Sequence, residues 1–395
     1  MDAIQRGIIL LLKSAVTGQP EQLPSGFSLE EALPMIKKHK IISPVYEGAV
    51  RCGMNPQLSE MRSLLQISYH LSIQNEKQMR MTERVFRTFE ENGIDYLGFK
   101  GCVLKYLYPQ PSLRPMGDAD ILIHQADHGR IVPLMETMGF TLRNEDDHVY
   151  LWESKDLKVE LHKCLVPPMD ADYYTYYGAG WRLAIHGEGH RYEMKPEDAY
   201  IFLFAHFARH YRFSGIGCRH VLDLYVYRRA YPDMDEEYIH AELKKLGLFT
   251  FYMNMERTLA VWFEGEQPDS VTELITEFVF RSGNWGSQES HSLLSQVRKA
   301  EGRTVRHSKQ RALFSGLFPS LSVMRRQYPI LQRWAFLQPV MWIYRIFHIL
   351  LFRRKSVTKR AKIIQTVNDE KSELYRRSLE AVGLSFHRDA DAKDR

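Results

Sequence analysis

Along the chain the hydrophobic positions change period twice. Up to residue 94 they recur three or four apart, the spacing of one helix face, and predict helices over Ala3 to Ala15, Leu29 to Lys40, a short piece from Pro44 to Cys52, and a long one from about Ser59 to Asn92. In the long one Leu64, Ile67, Leu71, Met81, Val85 and Phe89 form the apolar stripe, and Gly93 supplies a left-handed end. Its middle, Gln74 to Gln78, is polar, so it is either a solvated face or a place where Asn75 or Glu76 lines a site. From Tyr96 the period shortens to two. Strands are expected over Tyr96 to Lys100, Asp118 to His124, Phe140 to Arg143, Val149 to Glu153 and Leu157 to His162, with helices over Cys102 to Tyr108 and Ala126 to Met138 between them. Ser154 to Asp156 fits a hairpin turn, and Gly139 ends the second helix. At Pro196-Glu197-Asp198 the helical period returns, with proline and acids in a first turn.

That order predicts an α+β fold: N-terminal helices over 1–94, a mixed-sheet core over 95–195, a helical region over 196–385 and a disordered tail over 386–395. A length of 395 residues suits more than one domain.

Composition changes this picture little, but charge placement changes it more. Four widely scattered cysteines, Cys52, Cys102, Cys164 and Cys218, make no C-x-x-C pair, which argues against a zinc site or a disulfide framework and for a reducing cytoplasm. The apolar run Ile8 to Leu12 is too short to span a membrane and lacks the cleavage site of an export signal. The net charge of +5 is more than accounted for by fourteen cations between Gly302 and Lys362, a stretch without a single acid. Within it Trp334 to Phe352 is aromatic and apolar. Arg345 inside that stretch would cost about 2.5 to 3.5 kcal/mol at a bilayer centre, and Pro339 would break a spanning helix, so a transmembrane segment is excluded. The remaining readings are a packed amphipathic helix, an interfacial helix peripheral to a membrane, or a basic face for nucleic acid or another anionic partner.

The chemistry gathers between Tyr96 and His162. On a strand Asp118 and Asp120 share one face while Ala119, Ile121 and Ile123 share the other. In Leu157 to His162 the same parity sets Lys158, Glu160 and His162 opposite Leu157, Val159 and Leu161. If these strands are neighbours, three carboxylates converge on one sheet face, a setting for hard divalent cations. Upstream, Lys100-Gly101 stands at a strand-to-helix turn, where glycine lets a phosphate approach the backbone, and Arg114 and Gly117 precede the aspartates.

Phe99-Lys100-Gly101, Arg114, Asp118-Ala119-Asp120 and Val159-Glu160-Leu161-His162 together resemble the nucleotidyltransferase superfamily with the DNA polymerase beta-like fold, and within it the bacterial family labelled uncharacterised nucleotidyltransferase. The likeness covers roughly residues 60 to 230. It departs from the wider superfamily in having Gly101-Cys102 where a Gly-Ser phosphate grip is usual, and in a longer gap to the first aspartate. The resemblance implies transfer of a nucleoside monophosphate from a nucleoside triphosphate to an acceptor hydroxyl, with Mg2+ or Mn2+ held by Asp118, Asp120 and Glu160. It implies triphosphate contacts from Lys100, Gly101 and Arg114. The alternative is a catalytically silent binding protein on the same fold, such as a toxin-antitoxin-like partner. Farther on, His206 and His210 share a helix face, with Asp223 on the next helix. They are read either as metal ligands or, as the resemblance favours, with His206, Arg219 and Asp223 as a polar layer beside the site.

Overall fold

The computed structural model describes residues 1–283, 318, 321, 324–325, 328, 330–352 and 369–384. The chain forms two compact units, one of Met1–Arg209 with Ile216–Asn284 and one of His210–Gly215 with Trp285–Arg395.

In the first unit, helices α1 (Ala3–Thr17), α2 (Leu29–His39), α3 (Ile42–Arg51) and α4 (Ser59–Glu91) precede the sheet, close to the spans that the helical periodicity predicts. Asp2 and Gln5 close a capping box on α1. The last turn of α4 ends as the Asn92-Gly93 pair requires: Gly93 takes φ +61°, and the amide of Ile94 turns back to donate to the Phe89 carbonyl at 3.0 Å.

Seven strands then build one mixed sheet in the order β3-β4-β5-β2-β1-β7-β6. They are β1 (Tyr96–Phe99), β2 (Ala119–Ile123), β3 (Thr141–Glu145), β4 (Val149–Glu153), β5 (Lys158–His162), β6 (Ala184–His186) and β7 (Arg191–Met194). Ser154 closes the β4–β5 hairpin, its amide donating to the Leu157 carbonyl and its hydroxyl accepting from the Leu157 amide. The central register decides the rest. β2 runs antiparallel to β1, with Phe99 opposite Asp120, and parallel to β5, with Asp120 opposite Glu160. One sheet face, formed by Ala119, Ile121, Ile123, Val159 and Leu161, packs with Val85 and Phe89 of α4 and with Ile131 and Met135 of α6 (His128–Thr137) into a closed apolar core.

The α+β class with flanking helices is what the chain adopts. Two elements differ from the expectation. The helix expected over Cys102 to Tyr108 is a single turn, α5 (Gly101–Leu104), tightening to a 3-10 turn over Lys105–Leu107. The polar middle of α4 does not simply meet water: Asn75 and Gln78 are buried, and Asn75 accepts a 2.7 Å hydrogen bond from the buried Lys105 ammonium. A lysine drawn under α4 needs a polar partner there, and Asn75 provides it.

After a short helix α7 (Ala171–Tyr177) come α8 (Pro196–Phe213), beginning at Pro196 as predicted, then α9 (Cys218–Ala230), α10 (Glu236–Lys245), α11 (Phe249–Leu259) and α12 (Ser270–Ser282). Buried His39 fastens α2 to α12 and α9. Its Nε2 donates to the Phe280 carbonyl and its Nδ1 accepts from the Cys218 amide, a neutral ring that burial supports by lowering its pKa to about 4. All four cysteines are free thiols.

In the second unit a helix over Gln338–Phe352 occupies the aromatic stretch, and another over Asp369–Ala381 carries Ser378, whose hydroxyl meets that of Tyr211. No helix among the described residues is long and apolar enough to cross a membrane. Against the packed reading of the aromatic stretch, Trp334, Phe336 and Ile343 are 51%, 71% and 58% exposed. Most of the basic residues between 302 and 362, and the tail over 386–395, lie outside the described residues.

Candidate active site on the polar sheet face

Opposite the apolar core, the same strands present Asp118, Asp120, Glu160 and His162 on a common face, because the side-chain period of two puts chemistry one residue away from packing. The parallel pairing of β2 with β5 sets Asp120 directly beside Glu160. Ligand atoms of Asp120, Glu160 and His162 lie within 4.8 Å of one another, the group of that kind found among the described residues.

Asp120 is the hub. It is buried, and its Oδ1 accepts from the Lys100 ammonium at 2.7 Å and from His162 Nε2 at 2.9 Å. Burial alone would raise its pKa, but the Lys100 charge and the His162 bond outweigh it and hold the carboxyl far below the usual carboxylate range. His162 is itself oriented from behind. Burial and the neighbouring His162 and Lys100 lower the His148 pKa to about 3, so the neutral ring can donate its Nε2 proton to His162 Nδ1 at 3.2 Å while His162 donates to Asp120. The Glu160 carboxylate lies 3.4 Å from the same His162 nitrogen.

Asp118, one residue before β2, is placed differently. Among the described residues it accepts no hydrogen bond. Its pKa rises to about 6, chiefly by burial and then by repulsion from Asp120 and Glu160, against the pull of Lys100 and Arg219. Three carboxylates against the Lys100 ammonium leave an excess of negative charge on this face. That excess, and a donor set dominated by carboxylate oxygens, fits a divalent cation.

Lys100 reaches Asp120 from an unusual backbone. It adopts φ +48°, ψ −116°, a region that L-residues rarely enter, at the junction of β1 and α5. Gly101 follows, and the close approach it permits is by the chain itself: a Cβ there would stand 3.0 Å from Met116 Cγ and 3.4 Å from Arg114 Nη1. Arg114, expected to face phosphate, is buried in a bidentate pair with Asp223 of α9, at 2.7 and 2.9 Å. Tyr108 donates to the same carboxylate at 2.7 Å, and Arg219 donates to the Pro115 carbonyl at 3.1 Å. The segment from Tyr108 to Pro115, which leads into Asp118, is thus clamped to α9 at both ends.

The structure therefore brings together Asp120, Glu160, His162 and Lys100, leaves Asp118 outside that ligand group but near enough to be repelled by Asp120 and Glu160, and puts Gly101 and Arg114 behind them. Asp223 and Arg219 belong to the polar layer beside the site. His206 stacks on Phe202 and His210 contacts Ser214, so neither stands in the carboxylate group. The residue that sequence reasoning left out of the site is His162. Its parity with Glu160 on β5 was the signal, and only the in-register β2–β5 pairing shows that its ring reaches Asp120.

Compared with known proteins, residues 25–264 match the model of a family described as uncharacterised nucleotidyltransferase. Neither a curated protein nor a solved structure matches the chain.

Proposed function

The chain belongs to the uncharacterised nucleotidyltransferase family, and on that premise we propose that it moves a nucleoside monophosphate from a nucleoside triphosphate to an acceptor hydroxyl with a divalent cation, Mg2+ or Mn2+. The observation that carries this reading is the register of β2 on β5, which sets Asp120 beside Glu160, with Asp118 near enough to be repelled by both. Asp118, Asp120 and Glu160 would hold the cation. When bound, it neutralises phosphate charge and makes the acceptor hydroxyl easier to deprotonate.

The chain's own residues do the remainder. Glu160, about one-third exposed where Asp120 is buried, takes the acceptor proton. The acceptor oxygen forms a bond to the α-phosphorus as the bond from that phosphorus to its bridging oxygen breaks, and pyrophosphate leaves with the electron pair. His162 fixes the orientation of the Asp120 carboxylate, and the Lys100 ammonium offsets negative charge on the phosphates. Gly101 and Arg114 act one step back, by holding the segment before Asp118 in place.

A second reading, a fold kept for binding without turnover, draws on the same lysine, because an internal cation already sits on Asp120 Oδ1. Purified protein given each ribonucleoside triphosphate with Mg2+ or Mn2+ and cell extract separates the two. Transfer predicts pyrophosphate release and a product heavier by one nucleoside monophosphate. Glu160→Gln should lose transfer yet keep much of the triphosphate affinity, and equal loss of both would give Glu160 another role. Wild-type protein that binds no metal-nucleotide ends the transferase reading.

A further inference from the structure

β7 pairs with β1 at Tyr96 and Leu97, and among the described residues no strand pairs with Gly98 or Phe99 on that side. A cavity of about 850 Å³ lies there, walled by α4, β1, β7, α8 and α9. Its size is that of a small-molecule pocket. It meets the carboxylate face at Lys100, which lines the cavity and carries its ammonium to Asp120, and at Phe99, whose ring packs edge-on against His162 at 4.8 Å. Gly98 keeps the wall bare, since a Cβ there would come within 3.0 Å of Phe86 Cζ.

The lining has two components. Aromatic rings supply flat apolar faces, among them Phe86 stacked on Tyr96 at 4.9 Å, and Tyr106, 57% exposed. Charged groups supply the polar edge, and four acids balance four bases. Glu76 pairs with Arg80 and Glu193 with Arg191, each at 2.8 Å, while Glu90 accepts from the His190 amide at 2.9 Å. Glu83 and Arg87, one turn apart in the lining, are exposed and make no ion pair among the described residues. A pocket without net charge is a poor host for a triphosphate. Aromatic faces bordered by carboxylates and guanidinium groups instead match a ring whose faces are C–H and whose rim is hydroxyl.

We propose that this cavity is the acceptor subsite and that the acceptor is an uncharged, ring-bearing polyol, a glycoside, which presents a hydroxyl past Lys100 to the carboxylates. The proposal rests on the nucleotidyltransfer reading, and the experiment separates the two. Full-length protein is titrated, without nucleotide or added metal, with methyl glycosides of glucose, mannose, galactose and N-acetylglucosamine and, separately, with adenosine, by ligand-observed NMR. The same preparation is titrated with Mn2+ and ATP. At least one glycoside should bind, and the exposed substitutions Glu83→Lys and Arg87→Glu should each weaken it about tenfold, the worth of one charge-assisted hydrogen bond, while leaving Mn2+–ATP binding unchanged. Absence of binding by every glycoside, glycoside binding indifferent to both variants, or adenosine binding lost in them would overturn the assignment. The last would make the cavity a nucleobase pocket. Glycoside binding by a protein that takes no Mn2+–ATP overturns the acceptor role and, independently, the transferase reading.

Discussion

On one face of β2, Ala119, Ile121 and Ile123 are fully shielded from solvent against α4 and α6; on the other, Asp118 and Asp120 stand in a group where carboxylates outnumber ammonium groups. Both faces are largely buried, yet burial acts on them with opposite sign. Apolar burial stabilises in proportion to area and ignores pH. Carboxylate burial costs free energy unless a partner offsets it, and the two aspartates differ in having one. The apolar face holds the sheet together, and that rigidity lets the polar face keep an ionised group and a poorly stabilised one two residues apart.

The largest way to break this contrast is at Asp120. Asp120→Ala leaves Lys100 and His162 facing an emptied position, and should cost about 4 kcal/mol in urea unfolding, as breaking a buried pair does, and abolish transfer. A variant of wild-type stability would show that Asp120 is not the hub. Next comes Ile121→Ala on the opposite face, expected to cost about 3 kcal/mol through lost contacts and a residual cavity while leaving the activity of each folded molecule intact. Loss of activity out of proportion to unfolding would mean that the two faces are not separable. The smallest effect should be a gain. Asp118 is held at about 6 when folded, above its ordinary 3.8, so between those values the native state binds the extra proton and stability falls as pH rises. Asp118→Asn should therefore raise stability by about 3 kcal/mol at most at pH 7 in metal-free buffer, and the gain should disappear below pH 3.8. Thermal melts across that range check both the sign and the window.

How much of this is legible in sequence depends on the range of the interaction. The period of two in Ala119-Asp120-Ile121-Leu122-Ile123 and in Val159-Glu160-Leu161-His162 assigns the faces, and Asn92-Gly93 and Pro196 mark helix ends because caps are local chemistry. By contrast, the expected strands do not include β6 and β7. Arg191–Met194 alternates Tyr192 and Met194 with Arg191 and Glu193, but over only four residues, and it joins the sheet through backbone pairing with Tyr96 and Leu97, about a hundred residues upstream. The Arg114–Asp223 pair is invisible for the same reason, at a separation of 109 residues. Asn75 fails differently. Polarity at Gln74 to Gln78 suggested water, and nothing local shows that Lys105 would be folded beneath it.

Lys100 carries a further consequence. Its backbone, at φ +48°, is one that glycine would enter freely, while its side chain neutralises Asp120. Backbone preference and charge thus ask for different residues at the same position. A library of all twenty amino acids at position 100, sorted once for resistance to heat and once for product, should return two unlike rankings. A glycine would suit the peptide and leave the carboxylate without its counter-charge, and lysine is what survives when both demands are applied together.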